Sequence, residues 1–248
     1  MCVNPQGCDS DKMLRFLKSE AAIGLSYAMI ASVAILAALP LVSASVPNGG
    51  VPAALLAKMG TGANITRWFC YQGNYNDVKH LTSYLGEADA AAFRRMKITW
   101  VRLCIAPEAA YTSVPDRNGT PNAKVMPYVD RAIQWFNRRG MAVLLDLHDN
   151  GQLKLDEAGR DPKEFLLFWR ETARRYQGKG YDNLAFELVN EPIFEKNPKD
   201  WDLMQRKALA AIRLVDPKRT VMVSGTGYSS RDSLLKMGPL PQKNLLYT

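Results

Sequence analysis

The chain has 248 residues, 47% of them hydrophobic, which is enough to bury the core of one large α/β domain. Its formal net charge of +8 is spread among acidic residues, and no nucleic-acid-binding motif accompanies it, so we expect a solvated basic surface and no nucleic-acid partner. The two histidines, His80 and His148, and the four cysteines show no metal-ligand spacing, and we predict no metal and no cofactor.

Residues 1–44 have the pattern of a signal peptide. Basic residues precede an uncharged, mostly apolar run from Ala21 to Ala44, and Val42-Ser43-Ala44 provides a cleavage site of the small-residue type. A run of about 24 residues is also long enough to span a bilayer, so an uncleaved signal anchor is the alternative. Both interpretations predict an exported protein, secreted or periplasmic, which contacts a membrane only if the segment is uncleaved.

Residues 45–58 are rich in Gly, Pro and Ala and are predicted to be a linker to a domain over residues 59–248. Removal of the leader leaves Cys70 and Cys104 in the mature chain. Their spacing does not establish a disulfide in an oxidising compartment, and two partly buried thiols are the simpler interpretation.

Strand-like and helix-like segments alternate along residues 59–248, which predicts a parallel sheet with right-handed crossovers. No Gly-x-Gly-x-x-Gly follows the first strand, so a dinucleotide-binding sheet has no support, and polar residues at the strand ends favour a (β/α) barrel. The predicted strands are Gly62–Trp68, Ile98–Cys104, Met141–Leu147, Leu184–Val189, Thr220–Ser224 and Asn244–Tyr247. The predicted helices are Glu87–Met96, Val125–Arg139 before Gly140, a helix with Asp161 as N-cap and Pro162 as first residue that runs to about Tyr176, and Trp201–Val215.

Candidate site residues lie near the carboxyl ends of three of these strands. Arg102 lies on the second strand, His148 follows the third, and Asn190 and Glu191 follow the fourth, where Pro192 ends the ladder. A barrel brings these strand ends together on one face, where its chemistry takes place. The structural alternatives are an ordinary ion pair for Arg102, a satisfied core histidine for His148 and a polar turn for Asn-Glu-Pro.

The chain resembles glycoside hydrolase family five, the cellulase family of retaining glycosidases, from about residue 58 to its end. The resemblance implies a (β/α)8 TIM barrel, of which about the first five to six β/α units are present, and a secreted hydrolase that acts on β-1,4-linked glucan. The matching stretches are Gly62-Ala-Asn64, Ile98–Arg102, Val143–His148 and, the most specific, Phe186-Glu-Leu-Val-Asn-Glu-Pro192.

The resemblance also implies a role for each candidate residue. Glu191 matches the acid/base, and Asn190 matches the residue that hydrogen-bonds the sugar 2-hydroxyl. His148 matches a histidine lining the −1 subsite, and Arg102 matches the arginine that lies under the nucleophile and keeps it ionised. Trp68 is placed either to stack on a sugar or to pack within the barrel, and it is not ranked as a site residue.

The nucleophile itself is expected at the end of strand seven, after Thr248. Glu187 shares a strand face with Glu191, but four residues at about 3.3 Å each separate them by roughly 13 Å, whereas a retaining pair needs about 5–5.5 Å. The sequence therefore predicts a C-terminally truncated, monomeric chain that folds poorly and is inactive alone. The open alternatives are a β-mannanase or other β-glycanase of the same family, a catalytically dead sugar-binding remnant, and an unrelated exported metal-dependent hydrolase. A polysaccharide or oligosaccharide is the predicted partner.

Overall fold

The computed structural model describes residues 50–111, 119–149, 151, 153–157, 162–178 and 180–248. The predicted leader, the first residues of the predicted linker and Asp161 lie outside these ranges. Within them, no helix is both long and apolar enough to cross a bilayer.

Six parallel strands form one sheet in the order in which they occur along the chain. A doubly wound sheet reverses its strand order at a switch point, and this sheet has no such reversal among its six strands. The arrangement is that of the first six strands of a (β/α)8 barrel, as predicted. The strands are β1 (Gly62–Phe69), β2 (Trp100–Ile105), β3 (Ala142–Leu147), β4 (Leu184–Glu187), β5 (Thr220–Val223) and β6 (Leu245–Tyr247).

The long helices lie between the strands where the sequence predicts them, whereas the short helices in the connections were not predicted. A helix of four to seven residues is too short to display a repeat of 3.6 residues. In chain order the helices are α1 (Ala53–Leu56), α2 (Val78–Ser83), α3 (Glu87–Arg95), α4 (Pro107–Ala110), α5 (Met126–Asn137), α6 (Lys163–Tyr176), α7 (Pro198–Arg213), α8 (Thr226–Ser229) and α9 (Arg231–Met237).

Helix boundaries differ from the prediction by a few residues. Pro162 is the N-cap of α6 rather than its first residue. Helix α7 begins three residues before the predicted Trp201, because Pro198 supplies a first residue whose missing N–H is not needed there. The predicted stop of α5 is confirmed, since Gly140 has a φ of 73°, which suits glycine after a helix.

The residues of the central strands that face the helices form the main hydrophobic core, and they are odd-numbered in β2, β3 and β5 and even-numbered in β4. Because helices cover this face, these positions are apolar without exception along β2 and β3. The strand residues of this core include Val101, Leu103, Ile105, Val143, Leu145, Leu147, Leu184, Phe186, Val221 and Val223.

The opposite face of the sheet, which carries the even-numbered residues of β2 and β3 and the odd-numbered residues of β4, is apolar at one end and polar at the other. Near the amino ends it is apolar, and Leu144 and Ala185 form a buried cluster there with Val51 and Leu55 from the start of the described chain. Leu55 of α1 is only 2% exposed, so this part of the predicted linker packs against the sheet. Near the carboxyl ends the same face carries polar side chains.

Gly62 is required by the packing of β1 against β2. A Cβ atom at this position would lie 2.1 Å from the indole ring of Trp100, closer than a rigid aromatic ring can accommodate. We expect Gly62→Ala to lower the free energy of unfolding by about 1–3 kcal/mol through overpacking. Urea denaturation of the full chain measures this change.

Gly73→Ala is the matched control, since a Cβ there would meet no atom within 4 Å. Equal unfolding midpoints for the two variants would contradict the assigned contact between β1 and Trp100.

Candidate active site

The strand register brings the polar side chains of β2, β3 and β4 into one layer. Cys104 pairs with Asp146 across β2 and β3, and Asp146 pairs with Glu187 across β3 and β4. Arg102 lies two residues before Cys104, so it shares this face and its long side chain reaches along it. The layer is therefore a direct product of in-register parallel pairing.

Arg102 is the centre of this layer. Its Nε and Nη2 atoms donate to the two carboxylate oxygens of Glu187 at 2.6 and 2.7 Å. Its Nη2 also donates to Oδ1 of Asn190 at 2.9 Å and lies 3.1 Å from Oδ2 of Asp146. Burial lowers the pKa of Arg102, but the hydrogen bond to Glu187 and the charge of Asp146 outweigh it, and the pKa is raised.

Glu187 has a structural function that the sequence did not reveal. Burial raises the pKa of its carboxyl group, and the hydrogen bond from Arg102 opposes that rise. Of the two interpretations of Arg102, the ion pair with a neighbouring acid is present in the structure. Its predicted position under a nucleophile stays a prediction.

His148 is held at both ring nitrogens. Nδ1 lies 2.7 Å from Oδ2 of Asp146, and Nε2 lies 2.7 Å from the hydroxyl oxygen of Tyr71. Burial lowers the pKa of His148, but the hydrogen bonds from its ring to Asp146 and to the thiol of Cys104 raise it to about 9. The cationic ring therefore donates to Asp146 and to Tyr71 at neutral pH.

Asn190 and Glu191 follow β4 on a tightly bound segment. The strand ends at Glu187, two residues before the predicted Val189, yet the amide of Asn190 still donates to the carbonyl of Leu147 at 3.0 Å. Glu191 has a φ of 44°, a left-handed conformation that is uncommon outside glycine and is concentrated at functional sites.

The residues after Glu191 are anchored to α8. The amide of Gly227 donates to the carbonyl of Ile193 at 2.9 Å, and the amide of Tyr228 donates to that of Pro192 at 3.2 Å. The strained residue thus lies between a hydrogen bond to β3 and two hydrogen bonds to α8, which together fix the direction of its side chain.

A cleft of about 310 Å³ lies above this layer, and Glu191 is exposed along it. Tyr71 and Tyr228, both at least half exposed, also line the cleft. Trp68 does not, because it is 1% exposed, donates its indole N–H to the carbonyl of Leu81 and stacks on Phe69. The packing interpretation of Trp68 is therefore the correct one.

The site also contains residues that the sequence did not single out. Cys70 and Cys104 are reduced and completely buried, rather than partly buried as predicted. Ligand atoms of Cys104, Asp146 and His148 all lie within 4.8 Å of one another. This grouping has no signature in sequence spacing because its members come from two neighbouring strands. The one available signal was Asp146, which shares a strand face with His148 two residues later.

Comparison with known proteins identifies the family. The model of the family described as cellulase (glycosyl hydrolase family 5) matches residues 61–248. The chain belongs to this family. Endoglucanase C of Acetivibrio thermocellus is 24% identical over 194 residues, covering 75% of this chain and 55% of the relative. Endoglucanase H of the same organism is 26% identical over 195 residues, covering 78% of this chain and 21% of the relative.

Solved structures share the fold of this family 5 chain. Endoglucanase Cel5A of Thermotoga maritima aligns with a TM-score of 0.64 and 22% identity, over 78% of this chain and 60% of that one. A mutant form in complex with cellobiose gives a TM-score of 0.66 at 23% identity, over 80% and 62% of the two chains. A complex of Cel5A with mannotriose aligns with a TM-score of 0.61 and 21% identity, over 77% of this chain and 60% of that one. The chain spans about half the length of the first curated relatives that it matches.

Asp146 is predicted to keep His148 cationic. In Asp146→Asn we expect the pKa of His148 to fall below about 9, because the carboxylate that opposes the effect of burial is removed. NMR titration of the imidazole signals in EDTA-treated protein measures the shift. His80, the other histidine, serves as internal reference, and Asp200→Asn on α7 is the control.

The raised pKa of His148 also makes the stability of the folded protein depend on pH. Because the pKa of folded His148 lies above 6.5, its stabilisation is complete below pH 6.5 and is lost as the pH rises through 9. The loss should be absent from His148→Gln. A pKa of His148 that stays near 9 in Asp146→Asn would overturn the assignment.

Proposed function

We propose that this chain provides the acid/base half of a retaining glycosidase site that acts on β-1,4-linked glucan. The observation that carries the proposal is Glu191, a glutamate in a left-handed conformation at the carboxyl end of β4, exposed in the cleft and next to the Asn190 that Arg102 holds. The carboxyl ends of barrel strands are where enzymes of this fold place their chemistry.

Glu191 is proposed as the general acid that protonates the glycosidic oxygen and then, as general base, activates water. The side chain is exposed in the cleft without a ligand. A bound saccharide would cover it and exclude water from it.

Asn190 and His148 are proposed to position the sugar. The Oδ1 atom of Asn190 accepts from Arg102, so its amide hydrogens are directed elsewhere and are suited to the sugar 2-hydroxyl. His148 acts through Tyr71, which lines the cleft and shares a hydrogen bond with its ring. Arg102 is proposed to hold the charge of the second carboxylate in addition to that of Glu187.

The second carboxylate of the retaining pair is not assigned to a described residue. Asp146 is buried and engaged by Arg102 and His148, and Glu187 is buried and engaged by Arg102, so neither is proposed as the nucleophile. By family resemblance, that glutamate is proposed to lie on a seventh strand, which the described residues do not include.

The choice of substrate rests on the relatives. Several are named endoglucanases, and one from Ruminococcus flavefaciens is named cellodextrinase A. The exposed rings of Tyr71 and Tyr228 on the cleft suit the apolar faces of glucose units. Because Cel5A also binds mannotriose, a β-mannan is the alternative substrate. Export through the N-terminal segment fits a polymeric substrate outside the cell.

A non-catalytic sugar-binding protein is the second candidate. Glu187 and Asp146 already neutralise the charge of Arg102. The layer therefore needs no further carboxylate, such as a nucleophile, and this observation favours the second candidate. Such a protein would bind cello-oligosaccharides in the same cleft and release no reducing sugar.

Glu191→Gln is the decisive variant. We expect the native protein, isolated from its host at its natural length, to release reducing sugar from soluble β-1,4-glucan, and Glu191→Gln to lower kcat by about 10²–10⁴-fold. An aryl cellobioside with an acidic leaving group needs little protonation, so on that substrate the glycosylation step should be largely retained.

Glu195→Gln is the matched control, an exposed glutamate four residues further along that does not line the cleft. Equal activity of the two variants would reject Glu191 as the acid/base. Binding of cellotetraose without hydrolysis by the native protein would leave the sugar-binding candidate in its place.

A further inference from the structure

Four groups that bind metal ions in other proteins meet at the base of the cleft. Ligand atoms of Cys104, Asp146 and His148 lie within 4.8 Å of one another. The side chain of Cys70 packs beside that of Cys104 in one buried cluster, which places a second sulfur next to these three ligands. The set contains two sulfurs, one nitrogen and one oxygen, a combination that suits zinc and related thiophilic ions.

The cluster is enclosed and incompletely satisfied. The two cysteines and Asp146 are fully buried, and His148 is 6% exposed. Oδ1 of Asp146 has no hydrogen-bond partner among the described atoms, although Oδ2 accepts from His148 and forms an ion pair with Arg102. A buried carboxylate oxygen without a partner is destabilising. Coordination of a cation would satisfy it.

We propose that Cys70, Cys104, Asp146 and His148 form a binding site for a thiophilic divalent cation of the zinc group. Zinc lies about 2.0–2.3 Å from its ligands in a tetrahedral site, so ligand atoms that share an ion are about 3.3–3.8 Å apart. The ligand atoms of Cys104, Asp146 and His148, which lie within 4.8 Å of one another, need to approach by at most about 1 Å, and the Cys70 side chain has to rotate towards them.

Binding exchanges protons for the ion. Each thiol and the cationic imidazole releases its proton to solvent, and the resulting thiolates, neutral ring and carboxylate take up the cation. Two thiolates and one carboxylate carry three negative charges against two on the ion, which leaves the loaded cluster with a charge of about −1.

The positive charge of Arg102 would repel a cation at this place, but the negative charge of the loaded cluster offsets most of that repulsion. Its Nη2 lies 3.1 Å from Oδ2 of Asp146, and its Nη1 lies 3.7 Å from the sulfur of Cys104. Beside a cluster of net charge −1 the guanidinium is an attractive neighbour, and its bidentate pair with Glu187 remains in place.

Loading would change the site above the cluster. His148 has to turn its ring towards the ion, which breaks its contact with Tyr71 or with Asp146. The ion is therefore expected to oppose saccharide binding in the cleft. The binding of the ion does not depend on the proposed hydrolysis, so the two proposals can fail separately.

Cadmium is the probe, because cadmium thiolates absorb in the ultraviolet. The full chain carrying Cys2→Ser and Cys8→Ser, which removes the N-terminal thiols, is reduced, treated with EDTA and titrated with Cd²⁺. We expect one equivalent to bind with a thiolate absorption band, to raise Tm and to be displaced by Zn²⁺. Cys104→Ser should weaken binding by more than about 100-fold, beyond the 10–100-fold loss typical of an outer-shell partner.

Two controls keep the test decisive. His80→Gln, which alters the histidine outside the cluster, should bind as the parent does. If Cys104→Ser does not fold by near-ultraviolet circular dichroism, His148→Gln provides the same comparison. The proposal is overturned if the parent shows no thiolate band at one equivalent, or if cluster variants that fold bind Cd²⁺ as tightly as the parent.

Discussion

The buried guanidinium of Arg102 has to be neutralised where it lies, and the requirement fixes the arrangement of the surrounding strands. A charge on the inner face of the sheet is tolerated only when it is paired and fully hydrogen-bonded. Glu187 from β4 meets both donors of one edge of the guanidinium, and Asp146 from β3 and Asn190 from the segment after β4 share Nη2. One side chain of β2 therefore holds two other strands and the approach to Glu191.

Asp146 extends this constraint to the histidine. Its Oδ2 atom accepts from His148 and forms an ion pair with Arg102, so two cations share one carboxylate oxygen. With Glu187 included, two positive and two negative groups form a layer that is neutral overall. The charge of His148 is consequently part of the balance, which explains why burial does not discharge it. Replacement of a single member leaves the others with uncompensated charge.

The sequence predicts the features that a local pattern determines, and it does not predict the contacts that the strand register creates between distant residues. The apolar runs and the helical spacing predict the strands and long helices, and Asn-Glu-Pro indicates Glu191 as a candidate site residue. The pairing of Arg102 with Glu187 joins residues 85 positions apart, and only the alignment of three strands makes it visible. Tyr71 and Cys70 were not predicted to belong to the site, because they follow β1 on a turn without a periodic signal.

The sheet face opposite the helices is apolar at the amino ends of the strands and polar at their carboxyl ends, and this change connects the fold to the site. At the amino ends, Leu144 and Ala185 pack with Leu55 of α1 in a buried cluster that excludes water from this end of the sheet face. In that apolar surrounding the ion pairs one layer above are stronger than they would be in water. The rigid layer in turn carries a short, strained segment on which Glu191 is exposed. The charge network on the strands is held rigidly in place, whereas Glu191 on the segment after β4 stays accessible from the cleft.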